Sequence, residues 1–172
     1  IGFCLVGSEM CIRDRAYWVC ALIEESDALQ ANAAEIAAAQ LSEVLTDLKV
    51  GLLHGRLSAD DKAEMMAAFA ANRIDILVAT TVIEVGVDVP KASMMIIENA
   101  ERFGLAQLHQ LRGRVGRGAI ESHCLLMYQS PLSQTAKQRL AVMRESQDGF
   151  VIAEKDLSIR GPGEVLGTRP VS

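Results

Sequence analysis

Aromatic residues, paired cysteines and long apolar runs are all scarce in this chain of 172 residues. Aromatic side chains make up only 4% of it, so its core must be built mainly from alanine, valine and leucine. The four cysteines form no CxxC pair and have no histidine at a zinc-binding spacing. We therefore expect a reduced, cytoplasmic protein and assign no metal ligand. No apolar run reaches the roughly 20 residues that cross a membrane, so we expect no membrane partner.

Charge is distributed unevenly along the chain. Asp and Glu number 22 against 17 Lys and Arg, which is an unfavourable total for a nucleic-acid binder. However, residues 24–64 hold nine carboxylates and three basic side chains, whereas residues 102–118 hold four arginines and no acid. This distribution predicts a positive groove on an otherwise acidic domain.

Apolar runs and helical periods alternate along most of the chain. We predict strands at 16–23, 50–53, 75–79, 93–97 and 122–128, and helices at 28–48, 59–71 and around 104–111. Ser58 is a predicted N-cap, with Asp60 and Asp61 in the first turn of its helix. Such alternation is typical of an α/β domain whose mainly parallel sheet is covered by helices on both faces.

The pattern changes after Tyr128. Residues 132–145 and 150–157 are predicted helices, which Gly149 separates into a hairpin. A glycine-rich loop follows and carries Arg160 and Arg169.

The segment QLHQLRGRVGRG at 107–118 places Arg114 and Arg117 three positions apart among glycines. A guanidinium group binds phosphate oxygens in bidentate fashion, and glycine allows close approach of a ligand. The pair therefore suggests a polyphosphate ligand, although two surface arginines in a loop would give the same spacing.

The segment LVATTVIEVGVDVP at 77–90 begins as a buried strand and continues directly into Thr80 and Thr81. Ligands of open α/β sheets bind at the carboxyl ends of the strands, where hydroxyl groups can hold phosphate oxygens. Asp88 in the same segment can accept a hydrogen bond from a ribose hydroxyl. The triplet His54-Gly55-Arg56 ends another strand on the same rim, where a histidine can be either structural or a ligand contact.

These two segments resemble motifs V and VI of superfamily 2 helicases. With AYWVCALIEES, VGLLHGR, IIENAERFG and DGFVIAEKDLSIRGPGEVLGTR, residues 16–169 resemble the second RecA-like motor domain of the RecG family of bacterial DNA helicases. The resemblance implies a three-layer RecA-like domain at 16–128, followed by a helical hairpin and translocation-motif loop at 129–172. One departure is Pro170, where the family usually has Gln after the arginine.

The resemblance also implies roles for individual residues. Arg117 would be an arginine finger with Arg114 as its partner on the γ-phosphate, and Gly86, Asp88 and Gln110 would contact the nucleotide. Backbone contacts with DNA would come from a wider set: His54, Gly55, Arg56, Thr80, Thr81, Glu84, Arg160 and Arg169. ATP and Mg²⁺ would be held mainly by a first motor domain, because this sequence has neither GxxxxGK[ST] nor a DExx box.

The implied partners are branched DNA, the first RecA-like and DNA-wedge domains of the same protein, and single-stranded DNA-binding protein. The implied location is the bacterial cytoplasm at the nucleoid. Two alternatives stay open: a non-catalytic DNA-binding or protein-docking module on this scaffold, and the equivalent domain of a transcription-repair coupling factor. Residues 1–15 do not fit the family and resemble translated sequencing-adapter DNA, so we expect them to be irregular.

Overall fold

The computed structural model describes residues 15–20, 27–80, 92–115 and 122–161. In chain order these form β1 (Arg15–Cys20), α1 (Asp27–Val44), β2 (Val50–Leu53), α2 (Ala59–Ala70), β3 (Ile76–Thr80), β4 (Ala92–Ile97), a 3₁₀ turn (Ala100–Arg102), α3 (Leu105–Arg112), β5 (His123–Leu126), α4 (Gln134–Glu145) and α5 (Gly149–Arg160).

The five described strands form one sheet in the order β2-β3-β1-β4-β5, and every pairing between them is parallel. The chain therefore builds one half of the sheet with β1, β2 and β3, then crosses to the other side of β1 to add β4 and β5. The order reverses between β1 and β4. In doubly wound sheets this switch point, at the carboxyl edge, is where ligands bind.

Helices cover both faces of the sheet, as the sequence predicted. Helix α1 packs on one face against β1, β2 and β3, where its Ala34 is fully buried. Larger side chains fill the other face, among them Phe69 of α2, Leu105 of α3, Met143 of α4 and Ile152 of α5. Burial of these apolar side chains is the main favourable contribution to folding. None of the helices in the part of the chain described here is long and apolar enough to cross a membrane.

The predicted elements are confirmed, with corrected ends. Helix α1 ends at Val44, four residues earlier than predicted, because Leu45–Leu48 form a turn in which the Leu48 N–H donates to the Leu45 carbonyl at 3.0 Å. Strand β3 is shifted by one residue, and β5 is shorter than the predicted 122–128. Ser58 is the N-cap of α2, as predicted, and its hydroxyl accepts from the Asp61 N–H at 3.1 Å.

Two boundary predictions were wrong. Arg15 was assigned to the irregular leader, but it is the first residue of β1, where it is buried and donates to the Phe69 carbonyl. Residues 1–14 lie outside the described residues.

Gly149 was expected to separate the two hairpin helices, but it is the first residue of α5. Asp148 is the N-cap and accepts from the Phe150 N–H at 2.8 Å, which is why the helix begins there. A Cβ on Gly149 would lie 2.9 Å from His109 Nε2, so glycine permits α5 to approach α3 closely.

Candidate nucleotide and nucleic-acid interface

Four polar residues from four neighbouring strands meet at the carboxyl edge of the sheet. Cys20 pairs in register with Thr80. His54 and Thr80 directly follow the pair Leu53 and Ala79, and Glu98 follows Ile97, which pairs with Val19 beside Cys20. Because side chains alternate along a strand, all four lie on the face that α1 covers. We call His54, Thr80, Cys20 and Glu98 the edge row.

The first half of the edge row contains two predicted DNA contacts. His54 and Thr80 are only 7% and 4% exposed. Among the described residues, neither His54 Nδ1 nor Thr80 Oγ1 has a hydrogen-bond partner. The other ring nitrogen of His54, Nε2, lies 3.6 Å from Glu35 Oε1 on α1. Glu35 was not singled out in the sequence, where nothing marks its approach to His54.

The second half of the edge row lies at the β1–β4 switch point. Glu98 Oε2 accepts from Trp18 Nε1 at 3.2 Å and lies 3.5 Å from Cys20 Sγ. Burial, and then the charge of Glu98 and its hydrogen bond, raise the pKa of the Cys20 thiol far above its ordinary range. Cys20 is therefore a protonated core thiol, and it lies within the strand predicted at 16–23.

Gly55 and Arg56 follow His54 in an exposed turn. Lys62 Nζ of α2 donates to the Gly55 carbonyl at 3.1 Å, and no atom lies within 4 Å of a Cβ built on Gly55. Backbone and side chains here face solvent, which suits a contact with a large partner. The DNA-contact role of both residues stays a prediction.

Arg114 lies beyond the end of α3, on the side of the sheet opposite to the edge row. It is half-buried and its N–H donates to the Leu111 carbonyl at 3.1 Å. Burial raises the pKa of Tyr17 to about 12, and the positive charge of Arg114 opposes that shift, so the two groups are neighbours. Tyr17 packs against the larger cluster, away from α1. The predicted nucleotide residue Arg114 thus lies beside the cluster on the opposite face of the sheet from His54 and Thr80.

The other predicted residues are placed as follows. Gln110 is exposed on α3. Arg160, at the end of α5, forms an ion pair with Asp156 at 3.0 Å and lies 3.4 Å from a Cβ built on Gly104. It therefore lies beside the start of α3 rather than projecting freely. Six predicted residues fall outside the described part of the chain: Thr81, Glu84, Gly86, Asp88, Arg117 and Arg169.

Arg112 is a residue that the sequence did not single out. Its Nη1 donates to the carbonyls of Met143 at 2.9 Å and Ser146 at 2.8 Å, and its Nη2 lies 3.2 Å from His109 Nδ1. These carbonyls lie at the carboxyl end of α4, where a positive charge is favourable. Arg112 therefore joins the arginine-rich segment after α3 to the helical hairpin.

Two partly buried weak acids, the Cys124 thiol and the Tyr17 phenol, make the protein less stable at alkaline pH. Burial raises the pKa of Cys124 from 9.0 to about 11, and that of Tyr17 from 10.0 to about 12. Between the two pKa values of each group, the folded protein retains a proton that the unfolded chain has lost. The contribution of these groups to the free energy of unfolding is therefore complete below about pH 9 and is lost as pH rises through 11 to 12. We expect the urea midpoint to fall between pH 8 and pH 10.5. Cys124→Ala and Tyr17→Phe should each flatten the fall, and a constant midpoint would contradict the assignment.

Comparison with known proteins identifies the kind of domain. A family model described as "Helicase conserved C-terminal domain" matches residues 12–119. The ATP-dependent DNA helicase RecG of Escherichia coli (strain K12) is 65% identical over 155 residues, covering 90% of this chain and 22% of that protein. RecG of Bacillus subtilis (strain 168) is 51% identical over 156 residues, covering 90% of this chain and 23% of that protein. The chain therefore spans less than a quarter of the length of these relatives.

Solved structures of similar fold include a member of the same group of relatives. The structure of RecG bound to a three-way DNA junction superposes with a TM-score of 0.69 at 49% identity, covering 88% of this chain and 19% of that one. The C-terminal domain of the DEAD-box protein Dbp5 superposes with a TM-score of 0.59 at 18% identity, covering 78% of this chain and 71% of that one. At that identity the second likeness concerns the fold alone.

Proposed function

Because this chain belongs to the family of helicase conserved C-terminal domains, we propose that it is the second RecA-like motor domain of an ATP-dependent helicase that remodels branched DNA. The observation that carries this proposal is the 65% identity to RecG of Escherichia coli over nine-tenths of the chain. The likeness to RecG bound to a three-way junction supports a branched substrate, such as a stalled fork or Holliday junction. In this proposal, residues 16–128 are the motor domain and residues 129–172 are the hairpin and translocation-motif loop.

In this proposal the domain completes an ATP site rather than forming one. The first motor domain would bind the phosphates and Mg²⁺, and this chain would contribute Arg117 as arginine finger and Arg114 on the γ-phosphate. Such a finger stabilises the charge that develops on the transferred phosphoryl group. Gly86, Asp88 and Gln110 would contact the rest of the nucleotide. The place of Arg114, beyond α3 and away from the edge row, supports a nucleotide side distinct from the DNA side.

Contacts with the DNA backbone would come from the carboxyl edge of the sheet. His54, Gly55, Arg56 and Thr80 lie there, and the predicted contacts Thr81 and Glu84 follow Thr80 in the sequence. Contacts with phosphate groups position a duplex without reading its sequence, so we expect recognition of DNA shape. Arg160 and Arg169 of the terminal loop would add contacts. We also propose that the domain works with a DNA-wedge domain of the same protein and with single-stranded DNA-binding protein. Its location would be the nucleoid.

The experiment is to graft the chain into a complete helicase. Residues 16–169 replace the matching segment of the Escherichia coli relative, and we call the product the chimera. We expect the chimera to hydrolyse ATP in the presence of DNA, whereas the purified 172-residue chain hydrolyses none. Hydrolysis by the chain alone that survives repurification and is lost on substitution of Arg117 would overturn the half-site assignment. An inactive chimera that folds and binds ATP would overturn the motor-domain assignment.

A further inference from the structure

Two buried polar atoms at neighbouring strand ends have no partner in the described part of the chain. They are His54 Nδ1, after β2, and Thr80 Oγ1, at the end of β3. Both residues are more than nine-tenths buried and lie on the same face of the sheet. Buried side-chain polar atoms almost always have a hydrogen-bond partner, because leaving one unpaired costs free energy. The pair therefore indicates a place where a ligand atom completes the hydrogen bonding.

Glu35 determines what His54 can offer to such a ligand. Its Oε1 lies 3.6 Å from His54 Nε2, and an ionised carboxylate can only accept a hydrogen bond. At that distance the contact is electrostatic, and it favours the tautomer with its N–H at Nε2, which leaves Nδ1 for another partner. A second proton on the ring gives an imidazolium, whose charge Glu35 compensates and whose Nδ1–H is then a charge-assisted donor.

The charged groups around His54 favour an anion as the ligand. In the turn after His54, Lys62 Nζ of α2 donates to the Gly55 carbonyl at 3.1 Å, and the exposed Arg56 follows Gly55 in the sequence. Thr80 on the neighbouring strand can donate its hydroxyl hydrogen. Two donors and a nearby ammonium group match an oxygen of a phosphate group, which only accepts.

We propose that Glu35 is a positioning residue that orients His54 so that Nδ1–H, together with the Thr80 hydroxyl, donates to a phosphate oxygen. The inference rests on the proposed function, because it places the phosphate at the edge assigned to DNA. The same chemistry would accept a phosphate of the DNA backbone or of a nucleotide. The ring takes its second proton from solvent, and no covalent step is involved.

Histidine side-chain NMR tests the proposal in the 172-residue chain. The chain contains three histidines, so His109 and His123 are internal references for His54 in a long-range ¹H–¹⁵N spectrum. The labelled chain is titrated separately with a three-way DNA junction, with ATP and with inorganic phosphate. We expect the junction to shift the His54 ring alone, with both nitrogens protonated in the complex.

Isosteric variants separate the two ring nitrogens. Asparagine places an N–H donor near the position of Nδ1, whereas glutamine places one near Nε2. We expect His54→Asn to bind the junction more tightly than His54→Gln, and His54→Gln, Thr80→Val and Glu35→Gln to bind about ten-fold more weakly than the parent. Glu43→Gln is the matched control, because Glu43 is exposed on the same helix, and it should change nothing.

The possible outcomes distinguish a failure of the inference about His54 and Glu35 from a failure of the proposed function. Junction binding that leaves the His54 ring unchanged, or full binding by His54→Gln and Glu35→Gln, overturns the inference and leaves the proposed function standing. A shift with ATP or phosphate but not with DNA keeps the phosphate site and overturns its assignment to DNA. A His54 ring that responds to none of the three ligands overturns the site itself. If the chain also fails to bind the junction, the DNA contact in the proposed function fails with it.

Discussion

Replacing Arg117 with alanine in the chimera is expected to lower DNA-stimulated ATP hydrolysis about 10³-fold or more, with binding of branched DNA retained. An arginine finger acts on charge that develops only in the transition state, so its loss reduces turnover far more than it reduces ground-state binding. ATP hydrolysis and junction binding are measured on the same preparation.

Arg102→Ala is the matched control for Arg117→Ala. Arg102 belongs to the same acid-free stretch but is exposed on the 3₁₀ turn before α3, so its loss should change hydrolysis little. Unchanged hydrolysis in Arg117→Ala would move the finger role to Arg114. Loss of both hydrolysis and junction binding would mean that the segment contacts DNA or braces the fold.

Replacing Arg112 with alanine is expected to lower the free energy of unfolding by about 3 kcal/mol, because it removes two hydrogen bonds from a charged donor to backbone carbonyls. Those carbonyls, of Met143 and Ser146, lie 31 and 34 residues further along the chain. The substitution should therefore loosen the packing of the hairpin on α3 as well as lower stability. Urea unfolding followed by circular dichroism measures the change.

Two further variants separate the geometry of Arg112 from its charge. Arg112→Lys retains the charge but lacks the planar fork, so it should recover only part of the loss. Arg144→Ala removes an arginine from the same end of α4, where it is 69% exposed and lies 3.9 Å from Glu145, and this change should cost little. Equal losses for Arg112→Ala and Arg144→Ala would contradict the assigned role of Arg112.

Local features of the fold could be predicted from the sequence because their causes are local. Ser58 caps α2 through a contact with Asp61, three residues away, and apolar runs such as the one in β3 mark buried parallel strands. The end of α1 and the place of Gly149 were missed. In both cases, hydrogen bonds among a few residues determine whether the helix continues or the chain turns. The spacing of apolar residues does not reveal these bonds.

The arrangement of the edge row could be predicted only in part. His54 and Thr80 were expected at one rim, because carboxyl ends of parallel strands share an edge. Glu98, which contacts Trp18 and Cys20 across 80 and 78 residues, was not singled out, and neither was Glu35 beside His54. Such contacts depend on strand order and register, which no local pattern specifies. The family resemblance supplied candidate roles but not these neighbours.

The most direct test of the central claim is ATP-dependent unwinding of a three-way DNA junction by the chimera. A labelled junction is incubated with the chimera, with the Escherichia coli relative, and with that relative truncated before the grafted segment. We predict that the chimera unwinds the junction when ATP is present, that it does nothing without ATP, and that the truncated protein is inactive. A folded chimera that binds ATP and the junction but does not unwind it would contradict the assignment of this chain as the second motor domain of such a helicase.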